Sequence, residues 1–412
     1  MINLEPSNSF GIISSELKPN TSKSNKMYYL KYYDQVVAEI YEEVEGNDDH
    51  IRYMEILKPN LFFDSYNKQL MTREEFSKWV NSRVRPISQI GFDKLLTNLN
   101  IDSEDKDLCW KVLLKTRAVN VKDRMWLAFN EDETYEECSP WSKVMFNKRG
   151  SVIESVNRKD LTKSLNLFKT KSLMNVDGAC EKDVYRINGN LAIVKTSLQH
   201  NTYDCVAEEI AYRLACILGV DCSPAGIINS DLCYSIVDET KDLISAEDLL
   251  GLSKFDLIEC YRKLCKLPNS HLARIEFLKM CLFDLLTRQL DRNMSNFSFY
   301  NLNGQLRLYR LYDNGLCLFS SSKFRDSLEF SYTGNDSVDS IKFVCRELSK
   351  LNVDYVFEQK LDPDSMLVLF KEYNNFILYK NKNSYLDICC WILKQQEFII
   401  NCLKELGVDY EA

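Results

Sequence analysis

Histidine is scarce in this chain: His50, His200 and His271 are the only three, far apart and with no acid or thiol pattern around them. Histidine-based catalysis and His-rich metal sites are thereby disfavoured. Long apolar runs are missing too. No segment nears about 18 uninterrupted apolar residues, and the opening MINLEPSNSFGIISSELKPNTSKSNK has no charged-then-apolar signal pattern. The expectation is a soluble, cytoplasmic protein without a membrane partner. Fifteen cysteines are present, yet none stand in C-x-x-C spacing. They read as small buried thiols in a reducing compartment rather than as disulfides or zinc ligands. No basic surplus exists, since the net charge is −8, which argues against a broad phosphate-backbone footprint and so against direct nucleic-acid binding. A Walker loop, G-x-x-x-x-G-K-[ST], is also absent.

What is present is a chain of 412 residues, 45% hydrophobic and 12% aromatic, enough for more than one core and too long for a single one. Residues 1–25, rich in Ser, Asn and Lys, read as a flexible arm. From Met27, MYYLKYYDQVVAEIYEEVE predicts one or two strands. MTREEFSKWVNSRV predicts a helix capped by Thr72 with Glu75 three residues on. IGFDKLLTNLN and DKDLCWKVLLKTR continue with helical periodicity, so 26–145 reads as an α+β module without obvious chemistry. The polar stretch 146–170 reads as a connection. Residues 171–245 are strand-rich and 246–412 helix-rich, which makes the rest of the chain a bilobal arrangement with a cleft at the junction.

The chemistry gathers around two hairpins. In DRNMSNFSFYNLNGQLRLYRLYDNG, residues 291–315, Asn303-Gly304 tolerates the positive φ of a tight turn. About seven residues run out and about eight return at ~5 Å strand spacing, so Asn296 and Asp313 come together with Asp291 one short loop away. In the second hairpin, DVYRI and LAIVK flank Asn188-Gly189-Asn190, and Lys195 ends an otherwise apolar strand. The helix DCVAEEIAYRLACILGV follows, with Val206, Ile210, Leu214, Ile217 and Leu218 as its core stripe. Glu209 stands four residues before Arg213 and reads as an exposed pair. Glu208 shares the face of Ala211 and Ala215 and so turns inward, toward Lys195. Phosphoryl transfer needs a lysine on the nucleotide phosphates, a carboxylate to hold it, an Asp to orient the attacking hydroxyl, and an Asn and an Asp for Mg²⁺. Lys195, Glu208, Asp291, Asn296 and Asp313 supply them in order. Each alone also reads blandly, Asp291 as a helix-end or turn residue and Lys195 or Glu208 as a surface or edge charge.

NVDGACEK followed by LAIVK, then AEEIAYRLACILGV, LDRNMSNFSF and LYRLYDNG resemble in turn the phosphate loop, nucleotide lysine, helix glutamate, catalytic loop and metal-binding Asp of HipA-like bacterial Ser/Thr protein kinases. The resemblance covers about residues 172–400. It implies an α+β fold of protein-kinase type, with a β-rich N-lobe and a helical C-lobe preceded by the extra N-terminal module. It further implies ATP and Mg²⁺ as cofactors, Asp291 as the catalytic Asp, Asn296 and Asp313 on metal, and Lys195 on the ATP phosphates. Gly178, Ala179 and Lys182 would belong to the phosphate loop. A protein substrate and a helix-turn-helix antitoxin partner follow from the same resemblance. Asn293 replaces the family's usual His after Asp-Arg, and Asn175 replaces a Ser in the phosphate loop. The catalytic parts do not encode the acceptor, so a lipid or small-molecule kinase stays open, as does a nucleotide-binding pseudokinase acting as an interaction module.

Overall fold

Apolar–polar alternation from Lys26 onward builds an antiparallel meander of β1 (Lys26–Tyr32), β2 (Gln35–Glu45) and β3 (Asp49–Ile56). Strand β4 (Met125–Ala128) joins β1 to give the order β3-β2-β1-β4. These elements come from a computed structural model that describes residues 26–45, 49–58, 70–89, 91–142, 145, 152–153, 181–199, 201–229 and 231–412. The arm expected over 1–25 lies outside the described residues. Helices α1 (Arg73–Ser82), α2 (Phe92–Leu99) and α3 (Leu108–Thr116) cover this sheet. At the start of α1 the Thr72 hydroxyl accepts from the Glu75 N–H at 3.2 Å, and the Glu75 carboxylate accepts from the Thr72 N–H at 2.9 Å. Both orphan donors are thus satisfied. Phe76, Trp79, Leu96 and Leu113 close a core on Leu30, Ile40 and Met54. The four-residue helix α4 (Tyr135–Cys138) follows.

A second sheet has the order β5-β6-β7-β9-β8, from β5 (Val152–Ile153), β6 (Lys182–Ile187), β7 (Asn190–Thr196), β8 (Ala225–Asn229) and β9 (Leu232–Ile236). Most of the connection expected over 146–170 lies outside the described residues, but β5 pairs in parallel with β6. The β6–β7 turn places Asn188 at φ +50° and Gly189 at +80°, the left-handed pair that the Asn-Gly signal anticipates. Between β7 and β8 runs α5 (Asp204–Leu218).

The remaining elements are β10 (Ile244–Ser245), α6 (Ala246–Leu250), α7 (Leu257–Lys266), α8 (His271–Thr287), β11 (Ser298–Leu302), β12 (Gln305–Leu308), β13 (Ser331–Tyr332), β14 (Asn335–Asp336), α9 (Ser337–Lys350), β15 (Tyr355–Phe357), α10 (Pro363–Lys371), α11 (Asn374–Asn381), α12 (Tyr385–Lys404) and β16 (Asp409–Glu411). The β11–β12 hairpin has five residues out and four back, shorter than the sequence predicts. Side-chain hydrogen bonds take over from the ladder at its open end, where the Ser298 and Tyr312 hydroxyls meet at 2.8 Å. One core, containing α5, α7, α8, α9 and α12, runs from Tyr203 to Tyr410. The chain is thus mixed α+β, with several antiparallel sheets and twelve helices among the described residues.

The N-terminal module is fastened to the second sheet. Val119, Trp126, Ala128 and Trp141 pack with Val184 and Leu191, the Tyr32 hydroxyl donates to Asp242 at 2.7 Å, and Lys94 meets Glu181 at 2.8 Å. The described cysteines are free thiols, most of them buried. No helix among the described residues is long and apolar enough to cross a membrane.

Candidate active site

Strand register decides where the lysines go. Lys182 on β6 lies directly opposite Lys195 on β7, and residues so paired project from one face of a sheet. The Lys195 ammonium is buried and sits 2.5 Å from Glu208 Oε2 and 2.6 Å from Asp313 Oδ1. Lys182 Nζ reaches the other Asp313 oxygen at 3.2 Å. Glu208 comes from α5, whose Ala207, Ala211 and Ala215 are fully buried. Its second oxygen accepts the Asn314 N–H at 2.9 Å, so one carboxylate ties the β7 lysine to the turn that follows β12. Two cations and two anions balance within this cluster, and a phosphate entering it would compete with Asp313 for the lysines.

Asp313 sits at φ +58°, a left-handed conformation that Asp tolerates better than most residues. Burial alone would raise its carboxyl, but the ammonium groups of Lys182 and Lys195 override that and hold it well below the usual carboxylate range. Its carbonyl accepts from Gln289 Nε2 at 3.0 Å. The loop before β11 is held by Arg292, which donates to the carbonyls of Asn296 at 2.8 Å and Tyr312 at 3.1 Å and to Asn314 Oδ1 at 2.8 Å. The catalytic-loop candidate and the Asp-Asn-Gly turn therefore share one guanidinium.

Lys182, Lys195, Asn296 and Asp313 line a single cleft together with Val121, Lys122, Ser235, Val237, Tyr309 and Tyr312. Glu208 stands behind Lys195. Asp291 is solvent-exposed and is not itself part of the cleft wall, although its carbonyl takes the Asn296 side-chain N–H at 2.8 Å. Partial desolvation, then the charge of Asp313, pushes the Asp291 carboxyl up from its ordinary value, against the pull of Asn293, Arg292 and Lys182. Gly178 and Ala179, expected in a phosphate loop, lie outside the described residues.

Two expectations need correction. Glu209 is buried, not exposed; it accepts the Ile227 N–H at 2.6 Å and the Tyr373 hydroxyl at 2.8 Å. Arg213 instead reaches Glu372 at 2.6 Å and the Tyr373 hydroxyl at 2.8 Å. The helix is enclosed on two sides, by β8 and by the start of α11, so i,i+4 spacing did not decide its ion pairs. The N-terminal module also contributes to the cleft through Val121 and Lys122, and the Lys122 carbonyl accepts the Leu243 N–H at 2.8 Å. No local pattern in RAVNVKDRMWLAF marks those two residues.

With Asn296 Nδ2 committed to the Asp291 carbonyl, its Oδ1 remains as an acceptor on the cleft that Asp313 also lines. Among the described residues no group of three or more His, Cys, Asp or Glu could hold a metal ion. One amide oxygen and one carboxylate fit Mg²⁺, which takes few protein ligands and completes its shell with phosphates and water.

No family model and no curated protein sequence matches this chain. Among solved structures, HipA of Shewanella oneidensis MR-1, determined with HipB and its operator DNA as a toxin–antitoxin system, matches 92% of this chain and 99% of its own. Identity is 11% and the TM-score 0.55. The chain shares the fold of that HipA. A Helicobacter pylori proinflammatory kinase, CtkA, matches 55% of this chain and 92% of its own at 14% identity. Its TM-score is 0.36. The likeness to HipA is one of fold, and the chemistry of the site rests on the residues described above.

Proposed function

We propose that the chain is an ATP- and Mg²⁺-dependent kinase acting on Ser or Thr of a protein substrate. The observation that carries this reading is the Lys195 ammonium, buried and held between Glu208 and Asp313 at 2.5 and 2.6 Å on the wall of a cleft shared with Asn296. A buried lysine braced by one carboxylate and facing a second is what phosphate neutralisation beside a metal requires. In this reading 171–245 is a β-rich N-lobe and 246–412 a helical C-lobe, with 26–145 as the extra module and 146–170 as the connection. The cleft between the lobes takes ATP, its phosphates toward Lys195 and Lys182. Gly178 and Ala179 complete the phosphate loop.

Asn296 and Asp313 would hold Mg²⁺, which would supply neutralisation of phosphate charge. Asp291, exposed and with a raised pKa, accepts or orients the acceptor hydroxyl. Lys195 releases Asp313 and turns to the nucleotide phosphates, while Glu208 keeps it in place. Arg292 fixes the backbone that carries both Asn296 and Asp313. The HipA neighbour was determined with HipB and operator DNA, which supports a helix-turn-helix antitoxin partner for this chain. A net charge of −8 favours DNA contact through such a partner rather than directly.

The test is incubation of the purified chain with γ-labelled ATP and Mg²⁺, alone and with a cell lysate, beside Asp291→Ala. Label on protein with wild type only is the expected result. Label on lipid or a small molecule would move the acceptor class, and tight ATP binding with no transfer anywhere would leave a binding module.

A further inference from the structure

Arg288 follows α8 in the left-handed region, at φ +57°. Its guanidinium has no carboxylate partner among the described residues. Nη1 donates to Ser322 Oγ at 3.3 Å, and the group lies 4.2 Å over the Phe319 ring and 5.6 Å from that of Phe330. Burial, then the like charge of Arg325, lowers its pKa, with Tyr203 opposing. The nearby Asp326 is already engaged by Lys394 at 2.7 Å. A half-buried cation without a counter-ion is costly to keep, and among the described residues a serine hydroxyl is the one polar contact of this guanidinium.

The segment that carries this serine is firmly seated. Asn383 donates to the carbonyls of Phe319 at 3.2 Å and Ser322 at 3.0 Å and accepts the Phe324 N–H at 2.9 Å. Leu318 and Phe319 take φ of +55° and +60°, strained for residues with large side chains. The segment is also laced to the chain that leads into Asp291, through Leu318 N–H to Thr287 at 2.8 Å and Leu290 N–H to Leu316 at 3.3 Å. Ser321 and Lys323 are exposed and Ser322 is half-buried, so an enzyme can reach this turn.

We propose that Ser322 is a phosphorylation site whose phosphate is bound by Arg288 and Arg325. A phosphate there supplies the missing counter-charge and acceptor oxygens that match a guanidinium fork. It would bridge the segment leaving Asp313 to the one entering Asp291. In the transfer, Ser322 Oγ bonds to the γ-phosphorus of ATP, the bond from that phosphorus to its bridging oxygen breaks, ADP leaves, and the hydroxyl proton passes to a carboxylate or to water. The proposal goes beyond the kinase reading and does not require this chain to be the kinase.

Two measurements test it on the full chain. In the first, phosphoserine is incorporated genetically at position 322, with and without Arg288→Gln, and thermal unfolding and trypsin cleavage at Lys323 are followed. Phosphoserine should raise Tm by roughly 2 °C or more and slow the cleavage several-fold, and Arg288→Gln should erase both gains. An equal gain in Arg288→Gln, or a loss of stability on phosphorylation, overturns the binding role; Arg288→Leu serves if the Gln variant does not fold. In the second, phosphopeptides are mapped after incubation with ATP, Mg²⁺ and cell lysate, for wild type and Asp291→Ala. Phosphate on Ser322 in either chain is the expected result, and phosphate only elsewhere, or none, overturns the site. Because Asp291→Ala depends on the lysate for its kinase, a failed kinase reading leaves this test intact.

Discussion

Arg292 and Asp284 meet as a bidentate pair at 2.7 and 2.9 Å, with both side chains fully excluded from solvent. The Tyr332 hydroxyl completes the Asp284 carboxylate at 2.9 Å. Because Arg292 also holds the carbonyls of Asn296 and Tyr312, the pair is the support on which both candidate metal ligands rest. Removing one partner strands the other charge in the core, so Asp284→Asn should destabilise the protein by about 3–5 kcal/mol. Arg292→Lys should recover little of this, since an ammonium cannot reproduce the planar fork. Chemical denaturation of the two variants checks both statements; a loss under about 1 kcal/mol in either, small beside the cost of an uncompensated buried charge, would mean the pair is not the support.

Glu208 links two things at once, the Lys195 ammonium and the Asn314 N–H. Glu208→Gln keeps the shape but loses the charge. We expect Mg²⁺-dependent ATP affinity to fall by roughly tenfold or more, the scale of about 1.4 kcal/mol, while the fold is retained. Lys195→Met should lose more, because it removes the group that faces the phosphates. Titration calorimetry with ATP and Mg²⁺ separates the two, and equal affinity in wild type and Lys195→Met would sink the nucleotide assignment.

Asp313 and Asp291 should fail in different ways. Asp313→Ala is expected to abolish metal-dependent nucleotide binding, whereas Asp291→Ala should leave binding largely intact and remove turnover. Their titrations differ as well. Asp313 has a depressed folded pKa, so its contribution to stability is present above its unfolded value of about 3.9 and is lost only as pH falls through the lower folded value. Stability should therefore be flat with respect to Asp313 across neutral pH. Asp291 has a raised folded pKa, so its small stabilising effect lies at acid pH and disappears as pH rises through that value. The acid limb of kcat/KM should accordingly lie above about 3.9. A limb at or below that value would exclude Asp291 as the titrating group.

The parts legible in the sequence were those with local causes. The Asn-Gly turns, the Thr72–Glu75 capping box and the inward turn of Glu208 each follow from neighbours within a few residues, and the structure reproduces them. Lys195 on β7 and Asp313 beyond β12 lie more than a hundred residues apart, each next to such a local signal but served by different sheets, and Glu208 joins them by holding both the Lys195 ammonium and the Asn314 N–H. Arg292 gave no sign of burial, because its partner Asp284 belongs to a helix whose enclosure depends on the whole core. Glu209 was misjudged for the same reason: its acceptor role is set by Tyr373, which spacing along α5 cannot reveal. Val121 and Lys122 reach the cleft only through the docking of one module onto another sheet.

Gly315 offers a test of how tightly the Asp313 turn must be held. A Cβ built on it would lie 2.9 Å from the Asp204 carbonyl oxygen and 3.3 Å from the Asp204 Cβ. The first contact is with backbone at the start of α5, and the Asp204 carboxylate is itself engaged by the Leu198 N–H at 3.1 Å and the Thr202 hydroxyl at 2.7 Å. The helix cannot give way easily, so the turn must. Gly315→Ala should cost about 1–3 kcal/mol of stability and displace the neighbouring Asn314 N–H from Glu208. Through Glu208 that shift would reach Lys195, so ATP affinity should fall even though no charged group has been altered. Unfolding and nucleotide titration on the same variant read both effects. Unchanged affinity alongside lost stability would mean that the turn relaxes without moving Glu208, and that Asn314 is not needed to hold the lysine in register.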